Sequence, residues 1–501
     1  MKKLFVTTCK NRILITTPIY YVNDKPHIGH AYTILAADVL ARFFRDQGKE
    51  VFFLTGTDEH GSKIAESAEK IGKSPKQLCD ENSQLYKDAW KNLNIKYDYF
   101  IRTTDKKHEE VVKKFVEQLK ERGAIYERDY EGLYCNGCEK FLTSKELVDG
   151  LCPYHKTKPQ KISEKNYFFR LTNYLKEVET AIIDNKLKIQ PLSAKQEILG
   201  LFKQNLDDFS ISRQKEKVKW AIEVPFDNKQ TIYVWVDALV NYISAMGYGS
   251  NMKEFKKWWE NAYIIHLLGR DILKFHAIYW PAMLIAGGIK LPDQESIHGL
   301  FTINGQKMSK TIGNVIDPNK LVDKFGDDVT RYLLLSQFPF GKDGNIQEVK
   351  FEEQYNFDLA QGLGNLVSRI LALGEQYGKS ITLQCSVPGL MTKSWDDYKK
   401  YMEEFCFNDA LATIWALMSY CDKYISEAKP WEKINNEKEF QKILGELIYI
   451  LANIALMLSS VMPQTSEKIL KFLKLQDISK QDWLSQKVQL EKQVPLFPKK
   501  V

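Results

Sequence analysis

Residues 12–61 read RILITTPIYYVNDKPHIGHAYTILAADVLARFFRDQGKEVFFLTGTDEHG, and their pattern indicates the class of the fold. Its first ten residues predict a buried strand followed by a turn, because they are mostly apolar and contain a proline. Residues 27–48 predict a helix that ends at Gly48, and residues 50–61 predict a second strand. A strand, a helix and a strand in this order predict the β-α-β unit of a parallel sheet.

The helix predicted over residues 27–48 is apolar over most of its surface. Asp38, Arg42 and Arg45 recur in it at helical spacing, and nearly every other side chain is apolar. A helix with so narrow a polar stripe is expected to pack against a sheet.

The rest of the chain divides by its sequence pattern. Strand-then-helix patterns return at residues 231–247 and 262–280. Between Ala124 and about Asn228 the pattern changes to short strand-like pieces, which predicts an insertion that splits one doubly wound domain. Beyond about Glu352 helical periodicity dominates, and a C-terminal helical bundle is expected.

Composition excludes some classes of protein. The chain has 501 residues, 44% of them hydrophobic, so it can bury several cores. The longest apolar run, Leu447 to Met462, is interrupted by Asn453 and is shorter than the ~20 residues that span a bilayer, which predicts a buried helix and no membrane partner. The basic start of the chain lacks the features of a secretory signal, so the cytoplasm is the expected compartment. Lys and Arg exceed the acidic residues by 7, which suits a polyanionic partner, although most such surfaces are only solvated.

Three cysteines and a histidine form a cluster in the predicted insertion. Cys135, Cys138, Cys152 and His155 give C-x2-C, thirteen intervening residues and C-x2-H, which is the spacing of a zinc knuckle. The alternative is a redox pair or two buried thiols, but neither explains the second Cys/His pair. Four protein ligands fill the coordination shell of zinc, so one structural zinc ion per chain is expected.

Two histidines stand where the first strand meets the helix. His27 and His30 are three residues apart and share one helix face, and Gly29 lets a ligand approach the backbone. Residues that follow a strand of a parallel sheet lie at its carboxyl edge, where helix N-termini bind phosphates. Alone, this pattern is weak, since histidines at a helix start are more often caps or partly exposed polar residues.

A second motif lies far downstream. The segment NGQKMSKTIGN, residues 304–314, places Lys307 and Lys310 in a polar, glycine-flanked loop. Such ammonium groups can close over a departing pyrophosphate. The alternative is an ordinary basic loop.

The ordered motifs HIGH and KMSK resemble the signatures of class I aminoacyl-tRNA synthetases. The strings TPIYYVND, GTDEHG, YVWVDALVNY, GRDILKFH and YWPAML resemble the methionyl-tRNA synthetase family within that class. The resemblance implies an α/β fold, in which a Rossmann-like doubly wound catalytic domain is split by a zinc-binding connective insertion and followed by an α-helical anticodon-binding bundle. The implied segments are 12–123 (first catalytic half), 124–228 (insertion with zinc knuckle), 229–290 (second catalytic half), 291–351 (KMSK-containing stem-contact region) and 352–501 (anticodon-binding domain).

The resemblance also implies an activity. The family activates L-methionine with ATP to methionyl-adenylate and pyrophosphate, and then transfers methionine to the 3′ end of tRNA(Met), initiator tRNA included. Mg2+ is expected to accompany ATP. The chain lacks the appended β-barrel that some relatives carry for tRNA binding and dimerisation, so a monomer is expected.

The same resemblance assigns residues. The implied catalytic residues are His27, His30, Lys307 and Lys310. The implied ATP-binding residues are His27, Gly29, His30, Gly269, Asp271, Lys307 and Lys310. The implied methionine-binding residues are Ile19, Tyr21, Asp58, Trp235, Ala238, Leu239, Tyr242, His276 and Trp280, with Asp58 taking the α-ammonium group. The implied anticodon-binding residues are Asn365, Arg369 and Trp431.

Several alternatives remain beside these assignments. Synthetases for isoleucine, leucine and valine typically carry a large editing insertion, whereas the insertion here is short and holds the zinc knuckle. A tRNA-binding protein on an inactive synthetase scaffold would be expected to lose motif histidines or lysines, and all four are intact. The alternative for Trp280 is core packing, and the alternative for Trp431 is a staple between helices. Leu239 stands where some relatives carry proline.

Overall fold

A computed structural model describes residues 10–135, 137, 140–142, 147–308, 313–477, 483–484 and 486–499. The chain forms two compact units. The first contains the chain up to Ala37, Lys49–Lys91 and Ile95–His298. The second contains Asp38–Gly48, Asn92–Asn94 and the chain from Gly299 onward. The five segment boundaries proposed from the sequence remain a prediction.

The first unit is built on a seven-stranded sheet in which every pairing is parallel. The strands along the sheet are, in order, Tyr20–Tyr21, Glu50–Asp58, Arg12–Thr16, Tyr263–Gly269, Gln294–His298 and Lys188–Gln190, with Tyr99–Arg102 also paired to Glu50–Asp58. Every residue of Tyr263–Gly269 is buried, as expected for a parallel strand covered on both faces. The predicted α/β class is therefore confirmed.

Helices alternate with these strands. The α-helices that begin in the first unit are Ile28–Asp46, Ser62–Lys70, Pro75–Asn92, Lys106–Glu121, Leu175–Ile183, Leu192–Phe202, Val234–Ser244, Met252–Phe255 and Trp280–Gly287. Short 3-10 and π turns occupy Leu171–Asn173, Lys256–Glu260, Arg270–Ile272 and Phe275–Tyr279. One apolar core joins the central strands to the Lys106–Glu121, Val234–Ser244 and Trp280–Gly287 helices.

The first helix is close to its prediction, with one correction at its start. It begins at Ile28, so His27 precedes it, whereas the sequence pattern put both histidines in the first turn. The His27 carbonyl accepts the Ala31 N–H at 3.0 Å, which makes His27 the N-terminal cap position. The helix ends at Asp46, and Gly48 follows with a positive φ of 75°, which glycine adopts without strain.

The segment predicted as an insertion contains two small antiparallel sheets. Their strands are Ile125–Cys135, Lys140–Leu142, Gln160–Phe169 and Phe209–Ser210 in the first, and Ser212–Gln214, Glu223–Val224 and Asp227–Ile232 in the second. The sequence pattern showed only short strand-like pieces here. The structure adds the Leu175–Ile183 and Leu192–Phe202 helices, and the Lys188–Gln190 strand joins the central sheet.

The second unit is mainly helical, as predicted. Its α-helices after the Gly299 boundary are Pro318–Phe325, Asp327–Ser336, Glu348–Gln354, Gly364–Tyr377, Pro388–Glu403, Phe407–Ala428, Glu437–Leu458 and Pro463–Phe472. Tyr355–Leu363 is π-helical, and Pro430–Glu432 forms one 3-10 turn. Short strands lie at Phe301–Ile303, Gln306–Lys307, Gly344–Ile346, Ile381–Thr382 and Lys487–Val488.

One helix of this unit, Glu437–Leu458, is long and apolar enough to cross a bilayer by length and composition. However, 78% of its most apolar 18-residue window is buried inside the protein. The prediction of a buried core helix for this part of the chain is confirmed.

Arg331 lies at the centre of a buried polar cluster in the second unit. Its side chain is fully buried, and its Nη2 lies 2.7 Å from the Asp38 carboxylate, which is also fully buried. The guanidinium also donates to three backbone carbonyls, those of Val461 at 2.7 Å, Leu93 at 3.1 Å and Ser460 at 2.9 Å. Arg42 donates to the same carboxylate at 2.7 Å. Asp38 belongs to the polar stripe that was identified in the sequence. In the structure its carboxylate is buried and forms an interior ion pair.

Candidate active site

The candidate active site of the first unit lies at the carboxyl edge of the parallel sheet. Thr16, Asp58, Gly269 and His298 are the last residues of four strands that run in the same direction. The ends of these strands therefore meet at one edge, which is where ligands bind in open α/β sheets. The N-terminus of the Ile28–Asp46 helix follows the first of these strands and brings the first-turn backbone N–H groups, which lack intrahelical acceptors, to the same end.

His27 and His30 form a stacked pair at that helix start. Their ring centroids are 3.6 Å apart, and the ring planes are inclined by 21°. The ring of Tyr20 lies 5.2 Å from His30 on a tilted plane, and the Tyr86 hydroxyl lies 3.2 Å from His30 Nδ1. The structure thus brings together the two histidines that the sequence singled out, and adds Tyr86 beside them.

Hydrogen bonds indicate which nitrogen of each ring carries the proton. The Gly29 backbone N–H donates to His27 Nδ1 at 3.1 Å, and the His27 backbone N–H donates to His30 Nδ1 at 3.3 Å. An Nδ1 that accepts a hydrogen bond cannot carry a proton, so a neutral ring carries it on Nε2. Neither Nε2–H group has a hydrogen-bond partner within the described part of the chain, so both can donate to a ligand.

The pKa of each histidine supports this neutral form. Burial lowers the pKa of His27 to about 4. Burial and the neighbouring His27 charge hold the pKa of His30 well below its ordinary value. At neutral pH the pair therefore offers two N–H donors and no positive charge, so it can contact phosphate oxygens by hydrogen bonding alone.

The expected adenosine residues lie at the end of the neighbouring strand. Gly269 is the last residue of the Tyr263–Gly269 strand. A Cβ placed on it would lie 2.6 Å from Asp271 Oδ1 and 3.3 Å from His298 Cε1. Any larger residue would therefore displace both neighbours. His298 Nε2 in turn lies 2.7 Å from Thr33 Oγ1, one turn after His30, which ties this strand end to the first helix.

Four of the expected methionine residues lie on one helix, Val234–Ser244. Ala238, Leu239 and Tyr242 are buried on it, and Trp235 is half-buried with its ring stacked on Phe275 at 3.8 Å. The adjacent aromatic Phe275 was missed by sequence reasoning. Its signal was its position next to His276 in the string GRDILKFH.

Tyr242 and His276 form an oriented pair. His276 Nδ1 donates to the Ile272 carbonyl at 3.1 Å, so its Nε2 accepts the Tyr242 hydroxyl proton at 2.9 Å. Burial lowers the pKa of His276 to about 4, so the ring is neutral. The Tyr242 ring also lies 6.0 Å from that of Trp280. Tyr242 and His276 thus present uncharged, aromatic groups.

Trp280 itself is fully buried, and its ring lies 6.2 Å from Trp259 and 6.3 Å from Phe115. These contacts fit the core-packing alternative considered from the sequence.

Three further expected methionine residues, Ile19, Tyr21 and Asp58, lie in or next to the Tyr20–Tyr21 and Glu50–Asp58 strands. Tyr21 pairs with Asp58 in the sheet register, and both are half-buried. Ile19 is half-buried and packs against the main core. A carboxylate at a strand end beside a tyrosine is a suitable partner for an ammonium group.

The structure describes the two motif lysines only in part. Lys307 lies in the short Gln306–Lys307 strand, whose Lys307 pairs with Thr302. Lys310 lies outside the described residues. Both positions fall in the part of the chain assigned to the second unit. The roles expected of these two lysines remain predictions.

The Cys/His cluster of the insertion is assembled as predicted for its described members. The ligand atoms of Cys135, Cys152 and His155 all lie within 4.8 Å of one another, and both thiols are buried. His155 Nδ1 is 4.0 Å from Cys135 Sγ and 3.8 Å from Cys152 Sγ. Gly137 lies against the imidazole so closely that a Cβ would come within 2.4 Å of it. Cys138, the fourth expected ligand, lies outside the described residues.

The expected anticodon residues occupy the helical unit. Asn365 and Arg369 lie one turn apart on Gly364–Tyr377, where Asn365 is exposed. Arg369 Nη1 contacts the Asp422 carboxylate at 2.7 Å. Trp431 lies in the Pro430–Glu432 turn and is 48% exposed, which is high for tryptophan and does not fit a staple buried between helices.

Comparison with protein families gives two matches that together cover most of the chain. The model described as tRNA synthetases class I (M) matches residues 13–163 and 145–371. The model described as the anticodon-binding domain of tRNA ligase matches residues 392–499.

Individual relatives agree with these models. The chain is 43% identical over 477 residues to the methionine–tRNA ligase of Caldanaerobacter subterraneus subsp. tengcongensis, covering 93% of this chain and 74% of that protein. It is 41% identical to the Thermotoga maritima enzyme of the same name, covering 92% and 75%. A Mycobacterium tuberculosis methionyl-tRNA synthetase solved with methionyl-adenylate superposes with a TM-score of 0.89 at 32% identity, covering 97% of this chain and 99% of that one. The chain belongs to the methionyl-tRNA synthetase family of class I tRNA synthetases.

Proposed function

We propose that this chain activates L-methionine with ATP, giving methionyl-adenylate and pyrophosphate, and then transfers methionine to the 3′ end of tRNA(Met), initiator tRNA included. The observation that carries the proposal is its similarity, over nearly its whole length, to a methionyl-tRNA synthetase solved with methionyl-adenylate. The reaction is proposed to take place in the cytoplasm, where charged tRNA is used for translation.

The proposed reaction depends on hydrogen-bond donors held in fixed positions and needs no covalent intermediate with the protein. A carboxylate oxygen of methionine attacks the α-phosphorus of ATP, and a new P–O bond forms as the bond to pyrophosphate breaks. Negative charge builds on the phosphate oxygens during this step, and fixed N–H donors stabilise it in a site of low dielectric. His27 and His30 are proposed to supply two Nε2–H donors, and Mg2+ accompanying ATP would supply counter-charge.

Substrate choice follows from the groups around the proposed pocket. Trp235, Tyr242 and the neutral His276 offer polarizable rings and no net charge, which suits a thioether. Asp58 is proposed to bind the α-ammonium group, while Lys307 and Lys310 are proposed to stabilise the leaving pyrophosphate. The Leu239 side chain is buried and is proposed to contribute an apolar wall.

Charging of tRNA tests the proposal directly. Purified protein incubated with ATP, labelled methionine and tRNA(Met) is expected to give acid-precipitable methionyl-tRNA. A tRNA for another amino acid serves as the control and should accept little label. Charging of both tRNAs alike, or of neither, would contradict the proposal.

One structural zinc ion per chain is proposed at Cys135, Cys138, Cys152 and His155, supported by the three described ligands that converge within reach of one ion. Elemental analysis should give one zinc per chain. The apparent binding free energy of structural zinc is about 10 to 16 kcal/mol and depends on the full ligand set. Cys152→Ala removes one ligand, so this variant should lose the zinc.

The control is Cys79→Ala, which removes another buried thiol of the same unit. It should retain the zinc. Equal zinc content in the Cys152 variant and the native protein would count against the assignment.

Trp431, Asn365 and Arg369 are proposed to read the anticodon, supported by the exposure of Trp431 and Asn365 on the helical unit. Stacking of a base on an aromatic ring is worth about 1 to 3 kcal/mol. Trp431→Ala should therefore reduce the efficiency of tRNA charging by roughly ten- to a hundredfold. Methionine activation without tRNA should be unaffected.

Trp431→Phe keeps an aromatic surface and should retain most of the charging activity. If Trp431→Ala loses activation as much as charging, the residue is structural. If it loses neither, the anticodon assignment is wrong.

A further inference from the structure

Three buried titratable side chains from three separate elements meet beside the proposed methionine pocket. His60 follows the Glu50–Asp58 strand, His108 lies in the Lys106–Glu121 helix, and Asp237 lies in the Val234–Ser244 helix. His60 Nδ1 lies 2.7 Å from Asp237 Oδ2, and His108 Nε2 lies 2.8 Å from Asp237 Oδ1. Their exposed fractions are 4%, 2% and 1% respectively. We call these three residues the Asp237 clamp.

The charges around the clamp favour an ionised Asp237. Burial raises the pKa of its carboxyl, but the charge of His60 and hydrogen bonds from both histidines outweigh burial and leave the pKa below its ordinary value. Burial lowers the pKa of His60, but Asp237, Glu109 and Glu59 outweigh it and leave that pKa raised. Both carboxylate oxygens of Asp237 therefore accept an imidazole N–H.

The clamp connects the two sides of the proposed methionine pocket. Asp237 lies within the helix that carries Trp235 and Tyr242, so it can fix the position of that helix. His60 lies two residues after Asp58, the proposed partner of the α-ammonium group. Because these bonds join the Val234–Ser244 helix to the Lys106–Glu121 helix and to the turn after Asp58, loss of either would let the pocket wall shift relative to Asp58.

The turn that carries His60 is also held from its other side. Trp220 Nε1 donates to the Glu59 carbonyl at 2.6 Å, and the Gly61 N–H donates to the Trp220 carbonyl at 2.8 Å. The Trp220 ring lies 5.6 Å from that of His60. The His60 ring therefore has little freedom except toward Asp237.

A hydrolytic role for the cluster has little support. Ser244 Oγ lies 2.7 Å from His108 Nδ1, which places a serine, a histidine and an aspartate in contact. Ser244 is the last residue of its helix, however, and its Oγ also lies 3.2 Å from the Asn241 carbonyl. The end of a helix presents carbonyls and not the N–H donors that stabilise an oxyanion.

We propose that Asp237 is a positioning residue that holds the methionine-binding helix in register with Asp58 through His60 and His108, and thereby sets the affinity for methionine. This inference rests on the proposed function. None of the three side chains needs to touch substrate, and the clamp acts through the geometry of residues that do.

The test is steady-state ATP–pyrophosphate exchange with methionine and ATP varied separately. Asp237→Asn keeps the shape of the side chain but presents an amide N–H to one imidazole N–H. It should raise the KM for methionine by at least about tenfold, because small displacements of positioning groups have effects of this size. The KM for ATP should change by less than about twofold, since His27 and His30 lie outside the clamp.

His108 provides a second test that does not depend on the Asp237 variant folding. His108→Ala removes one N–H donor and should raise the KM for methionine, whereas His108→Gln keeps an amide N–H donor and should restore most of the affinity. The control is Asp328→Asn, another buried aspartate, whose carboxylate accepts the Thr465 N–H in the second unit. It should leave both KM values unchanged.

Failure of the clamp proposal and failure of the proposed function would give different results in this assay. Normal exchange with an unchanged KM for methionine in the folded variants, or equal increases for methionine and ATP, would overturn the clamp alone. Absence of methionine-dependent exchange in the unaltered protein would overturn the proposed function and the clamp with it.

Discussion

His30→Ala is expected to reduce methionine-dependent ATP–pyrophosphate exchange by at least ~10²-fold, which is the usual effect of removing one donor to a developing oxyanion. The reason is the proton on His30 Nε2. Backbone and tyrosine donors occupy Nδ1, so Nε2–H is the group left to contact phosphate. Exchange rates at saturating ATP and methionine give the measurement, and thermal unfolding confirms that the variant is folded.

Two further substitutions separate the roles of the two ring nitrogens. The amide nitrogen of glutamine reaches about as far from the backbone as Nε2, whereas that of asparagine reaches only about as far as Nδ1. His30→Gln should therefore recover part of the lost activity, and His30→Asn should not. Full activity in the alanine variant would reject the nucleotide-site assignment. Better recovery with asparagine would reject the Nε2–H donor.

Arg331→Met is expected to lower the free energy of unfolding by about 3 to 5 kcal/mol, the cost of removing one partner from a buried ion pair. The substitution would remove the Arg331 contact of the buried Asp38 carboxylate, which Arg42 also contacts. It would also remove the donors to the carbonyls of Val461, Leu93 and Ser460. Equilibrium urea denaturation followed by far-ultraviolet circular dichroism gives the measurement.

Arg369→Met is the matched control, because its ion pair with Asp422 is partly exposed, with side-chain exposures of 33% and 43%. Exposed pairs contribute about 0 to 1 kcal/mol, so this variant should unfold nearly as the native protein does. Adding Asp38→Asn to Arg331→Met should recover part of the lost stability, since it removes the buried charge. Equal effects of the two arginine substitutions would show that the buried cluster is not a special source of stability.

The sequence predicts the class of the fold well because its signals are local. The apolar runs at residues 12–16 and 263–269, and the helix that follows His27, are visible in the order of the residues alone. The parallel arrangement then follows from the connections between them. The Lys188–Gln190 strand was not predicted, because a three-residue strand has too short a pattern to stand out.

The parts of the site that the sequence missed depend on tertiary contacts. Asp237 meets His60 and His108 although 177 and 129 residues separate them, and no spacing rule connects such positions. The environment of Asp38 on the first helix also depends on a tertiary contact. Its periodicity indicates a polar face, but only packing reveals that Arg331 covers it.

The histidine pair could be predicted because both residues lie within one turn of a helix start. Their protonation could not, because it depends on Tyr86, which lies 56 residues away, and on burial among neighbouring rings. A short motif can thus predict which residues lie together at a helix start, whereas the structure shows which ring nitrogen each of them presents.

The site at the carboxyl edge of the sheet is proposed to activate methionine. ATP–pyrophosphate exchange, measured with each of the twenty amino acids in turn, is the decisive experiment for this activity. We expect strong exchange with methionine and at most weak exchange with any other amino acid, because the groups proposed to surround the side chain, Trp235, Tyr242 and the neutral His276, are aromatic and uncharged. Exchange with isoleucine, leucine or valine at the level of methionine, or no exchange with methionine, would contradict it.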